Sequence, residues 1–305
     1  MQEINQISIA IVGVVRNCGN KITDDIKNLQ NSTKSFQSVK WLLIESDSDD
    51  NTVSSLKLLK SKIANFNFIS LGKLKDKLKK RTERIAYCRN KYVEEINNNL
   101  NYKDLDYVFV SDFDGTNKLI NEEAILSCFL SPINWDACTA NQKGPYYDIW
   151  ALRHSILGPN DCYEEYSFYR SCGLSEERSK NLAIYSKMIT ISQSSDWIEV
   201  DSAFGGLGIY KKSLFVENEY RGLSCQGDEI CEHVYFHRLL RSKGANIYIN
   251  PRLINTDINE HSLQTTFRFK LFRIAWRIFT LSLKFIISKE KMTKIKGKIL
   301  KFFVK

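Results

Sequence analysis

The feature that most constrains the fold is an apolar run that ends abruptly in two acidic residues. Tyr107–Val110 is followed by Ser111, Asp112, Phe113, Asp114 and Gly115. Valine and aromatic residues in a short run bounded by glycine predict a buried strand. Two aspartates at i and i+2 of an extended segment point to the same side. At the carboxyl end of a strand they enter the crevice where open α/β sheets bind ligands.

The chemistry of these two carboxylates suggests a metal ion. Asp112 and Asp114 offer hard oxygen ligands, which suit Mg²⁺ or Mn²⁺, and a diphosphate could supply the remaining ligands. The alternative is a strand followed by an Asp-rich turn that binds no metal. The rest of the chain has to decide between the two.

Apolar runs alternate with polar loops and helical segments. Strands are predicted at Ile7–Val15, Trp41–Ile44, Phe66–Ser70 and Trp135–Ala140, with helices between them. Strand, loop and helix in repetition predict an α/β fold with a doubly wound parallel sheet. A further single strand is expected over Ile198–Lys211, which carries several glycines.

Polar residues follow the first two predicted strands. Arg16 and Asn17 follow the first, and Glu45 and Asp47 belong to the acidic stretch after the second. Such positions hold the ribose or base of a nucleotide in doubly wound folds. For the acidic stretch, a solvated turn that caps the next helix is the alternative.

A long basic amphipathic helix is predicted over residues 73–98. Arginine suits the oxygen atoms of a diphosphate because its guanidinium binds them in a fixed fork. Arg84, Arg89 and Asn90 are the candidates for such contacts, and most of the lysines are expected on a solvated face.

An aromatic cluster lies between residues 145 and 153. It includes Tyr147, Trp150 and Asp148, which together suit a sugar site, because rings stack on C–H faces and a carboxylate binds hydroxyls. A packed aromatic corner is the alternative. Residues 155–195 are polar and rich in Tyr and Ser, and they are interpreted as an insertion or lid.

Four of these features together resemble the glycosyltransferases of the GT-A fold, in the same order along the chain. Asp112-Phe-Asp114 resembles their metal-binding Asp-x-Asp, and Phe204–Gly208 resembles the glycine loop near the donor sugar. Glu232-His233 falls where the family has a Glu-Asp pair at a helix start, and His261 where it has a late metal ligand. Residues 44–52, 89–90 and 147–153 are similar to the capsule-associated mannosyltransferases of glycosyltransferase family 69, and to bacterial capsule and lipopolysaccharide sugar transferases.

The resemblance implies a mixed, mostly parallel GT-A sheet over residues 1–266. It also implies a hexosyltransferase-like enzyme of polysaccharide or glycolipid synthesis. Such an enzyme uses a UDP- or GDP-sugar, Mn²⁺ or Mg²⁺, and a saccharide or lipid-linked acceptor. The site residues that it implies have four roles. The metal ligands are Asp112, Asp114 and His261; Asp112 also contacts the ribose, Gly205 and Gly206 approach the donor, and Glu232, His233 and Asp148 form the catalytic group.

One departure from the family pattern concerns the mechanism. His233 stands where inverting enzymes of this fold use a carboxylate as base, while retaining enzymes need no separate base. The sequence therefore favours retention of configuration.

The positive charge of the chain is concentrated at its end. Residues 267–305 hold twelve Lys or Arg and one acid, so the rest carries −2 of the total +9. This distribution argues against nucleic acid, which needs a basic face on the folded body. Interleaved Phe, Trp and Leu predict an amphipathic helical tail on an anionic membrane surface, with a helix packed on the domain or an oligomer contact as the alternative.

Eight cysteines without a Cys-x-x-Cys pair suggest a reducing compartment, so a cytoplasmic enzyme at the inner membrane face is expected.

Two other functional classes remain open from the sequence. A sugar nucleotidyltransferase also uses a doubly wound sheet and paired acids, but it needs a basic, Gly-rich loop after the first strand, and residues 16–20 are a poor one. A non-catalytic membrane or nucleic-acid binding module could rely on the basic tail alone. Such a module would bind without Asp112 and Asp114.

Overall fold

The computed structural model describes residues 3–265, and its core is one eight-stranded sheet. The strands are β1 Ser8–Val15, β2 Ser38–Glu45, β3 Phe66–Ser70, β4 Tyr107–Ser111, β5 Ala137–Gln142, β6 Ile198–Glu199, β7 Leu207–Lys211 and β8 Ile247–Thr256. Their order across the sheet is β3-β2-β1-β4-β7-β5-β8-β6. Strands β1 to β4 are mutually parallel, β5 and β8 are parallel, and β7 runs antiparallel between β4 and β5. The predicted mixed, mostly parallel α/β sheet is confirmed.

Helices cover both faces of this sheet. They are α1 Ile22–Ser32, α2 Thr52–Lys62, α3 Arg81–Asn98, α4 Glu122–Phe129, α5 Cys162–Ser171, α6 Glu176–Ala183 and α7 Glu232–Ser242. Successive side chains of β1 point to opposite faces, so Ile11 packs into one apolar cluster and Val12 into the other. Each fully buried side chain of this kind contributes roughly 1.5–3 kcal/mol. Burial on both faces explains why the central strands read as continuous apolar runs.

The predicted helix over residues 73–98 begins later than expected. Leu74–Asp76 forms one 3₁₀ turn, and α3 begins at Arg81. The Asp47 carboxylate accepts the N–H of Lys75 at 3.0 Å, and the Arg84 guanidinium donates to two carbonyl oxygens just before the helix. These tertiary bonds fix the basic stretch as a loop, and they override its helical propensity.

The single strand predicted over Ile198–Lys211 was also wrong. The structure has a short β6, then a loop, then β7. Gly205 and Gly206 lie in that loop with φ angles of 68° and 86°. Positive φ is incompatible with an extended strand and is easy only for glycine, so the chain turns here.

The segment 155–195 contains the small helices α5 and α6. It is joined to the apolar core through Cys162, Met188 and Ile191. Among the described residues, no helix is long and apolar enough to cross a membrane. The tail that was predicted over residues 267–305 lies outside the described residues.

Candidate functional site

A cavity of about 650 Å³ opens at the carboxyl ends of β1, β2 and β4. Its wall is completed by α3, by the start of α7, by residues 147–151 and by the segment 155–195. The predicted site residues that line it are Arg16, Asp47, Arg84, Arg89, Asp112, Asp114, Asp148, Glu232, His233 and His261. Residues far apart in the sequence therefore share one cavity.

Arg89 is the central cation of this wall. It is only 3% exposed, and its Nε lies 3.1 Å from the Glu232 carboxylate. A terminal nitrogen lies 3.8 Å from Asp112. The guanidinium sits between the rings of Phe204 and Tyr220, at 5.4 and 5.5 Å from their centroids. An arginine held by charges and rings on several sides is fixed in place before any ligand binds.

Carboxylates outnumber this cation. Burial raises the pKa of Asp112 to about 8, Arg89 opposes the rise, and the charges of Asp114, Asp148 and Glu232 add to it. Neighbouring like charges disfavour the ionised form. The wall is thus electrostatically suited to a divalent cation.

A divalent cation of this kind needs several oxygen or nitrogen ligands around one point. Within residues 3–265, no three His, Cys, Asp or Glu side chains are close enough together to hold a metal ion. The His261 ring stacks on Tyr147, with centroids 5.5 Å apart. A divalent cation at Asp112 and Asp114 therefore needs oxygen ligands from outside the protein, and a bound diphosphate supplies such oxygens. The two carboxylates fit the ion in chemistry, and the place of His261 in the ligand set stays a prediction.

The glycine loop supports two of these carboxylates from behind. The backbone carbonyl of Gly206 accepts the N–H of Asp112 at 2.9 Å. The N–H of Gly205 donates to Asp148 at 3.0 Å. A Cβ at position 206 would lie 2.7 Å from the Tyr147 hydroxyl. The two glycines do not line the cavity, but they allow the backbone to approach and hold the carboxylates that do.

Asp148 is a half-buried acceptor on the wall. Besides Gly205, it accepts the N–H of Ala151 at 3.4 Å. Burial raises its pKa, and the two N–H groups oppose the rise. A carboxylate oriented in this way can accept hydrogen bonds from sugar hydroxyls.

His233, the second residue of α7, is a neutral ring. It is 3% exposed, and it stacks on Phe204 with centroids 3.8 Å apart. Burial lowers its pKa well below the ordinary value, and Arg89 contributes in the same direction. Neither ring nitrogen has a hydrogen-bond partner within the described chain. An imidazole with so low a pKa is a poor proton acceptor at neutral pH.

The opposite end of the cavity carries the predicted nucleotide residues. Asp47, at φ 59°, lies 3.6 Å from the Arg84 Nε, and its carbonyl accepts from the Arg16 Nε at 3.3 Å. One terminal nitrogen of Arg84 is occupied by the carbonyl oxygens before α3. Arg84 therefore has a structural task beside the predicted contact with a diphosphate.

Three other predicted residues lie behind the wall. Asn17 accepts the N–H of Asp49 at 2.8 Å, and Glu45 accepts the N–H of Ser48 at 3.0 Å, so both shape the loop after β2. Asn90 donates to the carbonyl of Tyr220 at 2.9 Å and accepts its N–H at 2.8 Å. The geometry gives these three side chains roles in backbone positioning.

The segment 155–195 was interpreted as an insertion or lid, but none of its residues was named as a site residue. The missed residues line the cavity from α5, α6 and the residues after them: Cys162, Tyr163, Lys180, Ile184, Tyr185 and Met188. Its richness in Tyr was the available signal, but the absence of a clear period left open which side chains face the site.

No protein-family model matches this chain, and no match is found among curated proteins. Solved structures with similarity to it include a mannosyltransferase from Pyrobaculum calidifontis in complex with GDP-Man and Mn²⁺. That structure is 10% identical with a TM-score of 0.48, and the match covers 82% of this chain and 56% of the mannosyltransferase. This chain thus spans little more than half the length of that protein.

Two further structures show comparable similarity. S. aureus TarS in complex with UDP-GlcNAc is 14% identical at a TM-score of 0.44, covering 96% of this chain and 72% of that one. Glucosyl-3-phosphoglycerate synthase from Mycobacterium tuberculosis, in complex with UDP, is 10% identical at 0.40, covering 82% and 69%. Similarity at this level concerns architecture, and the substrates are those of the named proteins.

Proposed function

We propose that the protein is a glycosyltransferase that moves a sugar from a nucleoside-diphosphate sugar to a saccharide or lipid-linked saccharide. The observation that carries the proposal is the convergence of Asp112, Asp114, Asp148 and Glu232 around the buried Arg89, beside the ends of β1 and β2. A nucleotide fits at the strand ends. The surplus of carboxylates suits a divalent cation with the diphosphate bound to it.

Each group has a task in this proposal. Asp112 and Asp114 would hold Mn²⁺ or Mg²⁺, which acts as a Lewis acid on the leaving diphosphate. Arg89 places a fixed positive charge near the developing negative charge without reorganisation. Asp148 accepts from sugar hydroxyls and orients the transferred sugar. Glu232 holds Arg89 in position.

The proposal includes retention of configuration, because position 233 offers no carboxylate base. The neutral His233 cannot replace one efficiently at its lowered pKa. Proton NMR of the first product formed from an α-linked donor tests this point. A β-linked product would contradict it.

The nucleotidyltransferase alternative is disfavoured by the loop after β1. That enzyme class needs free backbone N–H groups there for phosphates. The N–H of Cys18 donates to Thr52 at 2.9 Å, and that of Gly19 donates to Asp50 at 3.1 Å. Both groups are thus occupied, one by Thr52 at the start of α2 and the other by Asp50 in the loop before it. Release of a nucleoside diphosphate instead of inorganic diphosphate separates the two activities.

Asp114→Asn is the direct test of the transferase proposal. The side chain is exposed, so the variant should fold with less than about 0.5 kcal/mol change in unfolding free energy. Donor hydrolysis and transfer, screened with UDP- and GDP-sugars and Mn²⁺, should fall at least about 10³-fold. The variant Asp24→Asn, on the exposed side of α1, is the matched control and should retain wild-type rates. Full activity of the wild-type protein in EDTA would contradict the metal requirement.

The residues 267–305 enter the proposal as an anchor at the inner face of the cytoplasmic membrane. Basic residues near an anionic surface contribute about 1 kcal/mol each, and salt weakens them. Truncation after residue 266 should abolish co-sedimentation with anionic liposomes at low salt. Equal pelleting of the full-length and truncated proteins would contradict an anchor.

A further inference from the structure

One part of the cavity differs from the rest in charge. The acidic residues on the cavity wall are Asp47, Asp112, Asp114, Asp148, Glu232 and Glu260, and none of them belongs to the segment 155–195. That segment contributes Tyr163, Lys180 and Tyr185, and Trp150 and Arg81 complete the same side. We call these five residues the insertion wall. It contains aromatic rings and two cations, with no carboxylate.

The aromatic part of the insertion wall is held in a defined geometry. The rings of Trp150 and Tyr163 meet edge to face, with centroids 5.0 Å apart. The Trp150 Nε1 donates to Asp161 at 3.1 Å, and the same carboxylate oxygen binds Arg153 at 2.6 Å. Tyr163 remains 51% exposed. An exposed ring beside a fixed one offers a stacking face for a sugar.

The two cations are available to a ligand. Arg81, an exposed residue at the start of α3, makes no ion pair within residues 3–265. Among the ion pairs within residues 3–265, Lys180 pairs with Glu176 alone, and the two side chains are 42% and 63% exposed. Such exposed pairs contribute little, so a ligand can replace Glu176. Burial raises the pKa of Tyr163, and the charges of Arg81 and Lys180 oppose the rise. Both cations therefore lie near the same phenol.

We propose that the insertion wall is the acceptor subsite, and that it binds a saccharide carrying a phosphate or carboxylate group. Tyr163 and Trp150 would contact the sugar, while Arg81 and Lys180 bind the anionic group. Arginine suits two oxygens of one anion, and lysine adds a compact point charge. This inference rests on the proposed transferase function, because it assigns the second substrate of the same cavity.

Equilibrium binding tests the subsite without requiring turnover. The full chain is saturated with UDP or GDP and Mn²⁺, so that the donor end is filled, and is then titrated calorimetrically with glucose, glucose 6-phosphate or glucuronate. We expect the anionic sugars to bind at least 10-fold more tightly than glucose. In Arg81→Gln/Lys180→Gln that ratio should fall to about one. Lys80→Gln and Arg178→Gln remove neighbouring exposed charges that do not line the cavity, and they should keep the ratio.

Two further titrations identify the source of the anion. An alkyl phosphate-linked glucose represents a lipid-linked acceptor, and glucose 6-phosphate represents a soluble one; the tighter of the two indicates the source. Equal binding of neutral and anionic sugars, or an anionic preference that survives the double variant, overturns the inference. If donor hydrolysis persists in either case, the transferase proposal is unaffected. If the preference is found but no donor is ever cleaved, the anionic site stands and the transferase proposal fails.

Discussion

The two sides of the cavity are built differently. One side, here called the strand-end wall, is formed by the carboxyl ends of β1, β2 and β4 together with α3 and the start of α7. It holds almost fully buried charged groups, Arg89 and Glu232, at 3% and 6% exposure. The segment 155–195 instead lines the cavity with Tyr163 at 51% exposure. Buried charges must be paired in fixed geometry, or they destabilise the fold. Exposed side chains can change at little cost in stability. The residues proposed for the chemistry are therefore tied to folding on the first side, while the residues proposed for specificity can vary on the second.

The largest effect is expected from Arg89→Met. The change leaves the buried Glu232 carboxylate without its cation, so unfolding in urea should show a loss of about 3–5 kcal/mol. Lys91→Met, two residues along the same helix, removes a solvent-exposed pair with Glu94 and should cost less than about 1 kcal/mol. Similar losses in the two variants would contradict the claim that Arg89 is a buried charge whose pairing the fold requires.

The sequence could predict the strand-end wall because two independent patterns pointed to it. Apolar runs located β1, β2 and β4, and a polar residue at the end of each run had to lie at one edge of the sheet. Asp112, Asp114 and Asp47 were placed in this way. Arg89 was named as a candidate because it is an arginine on a predicted helix. Its partner Glu232 lies 143 positions away in the sequence. The distance between the two residues could be read only from the fold.

The predictions that were wrong concern segments whose conformation is set by tertiary contacts. The basic stretch before Arg81 has helical propensity, yet Asp47 holds the N–H of Lys75 in a loop. The glycines at 205 and 206 were treated as part of a strand, although paired glycines with positive φ turn the chain there. For residues 155–195 the sequence has no clear period, because most of its side chains face solvent.

A smaller effect is expected on the pH dependence of the free energy of unfolding, from a histidine beneath the strand-end wall. His237 is fully buried between Ser202 and Tyr210, at 2.9 Å from each hydroxyl, and burial lowers its pKa to about 3. The unfolded chain takes up a proton at this residue below about pH 6.5, but the folded chain does not. His237 therefore reduces stability as the pH falls from about 6.5 towards 3, at about 1.4 kcal/mol per pH unit.

The measurement is the free energy of unfolding at pH 7 and pH 5, for wild type and His237→Gln. The loss between the two pH values should be smaller in the variant by about 2 kcal/mol. Carboxylates with a raised pKa act in the opposite sense; burial raises that of Asp25 to about 6. They are present in both proteins, so they cancel in the comparison. An identical pH dependence in the two proteins would show that His237 is not held neutral.

The smallest effect is expected on the insertion side, from Phe168→Ala. Phe168 is a residue of α5 whose ring is largely in solvent, so its truncation removes little buried apolar area. Unfolding in urea should show a change within about 0.5 kcal/mol. Phe236→Ala makes the same chemical change in α7 beneath the strand-end wall, where the ring is fully buried and stacks on Tyr220 with centroids 4.2 Å apart. There the loss should be about 3–5 kcal/mol, since a buried cavity is left behind.

A loss above about 2 kcal/mol at Phe168 would mean that this ring is covered by a part of the chain beyond residue 265 or by a second molecule. Repeating the measurement on the protein truncated after residue 266, at two protein concentrations, separates those cases. Loss of the effect on truncation identifies the chain end as the cover, and dependence on concentration identifies a second copy.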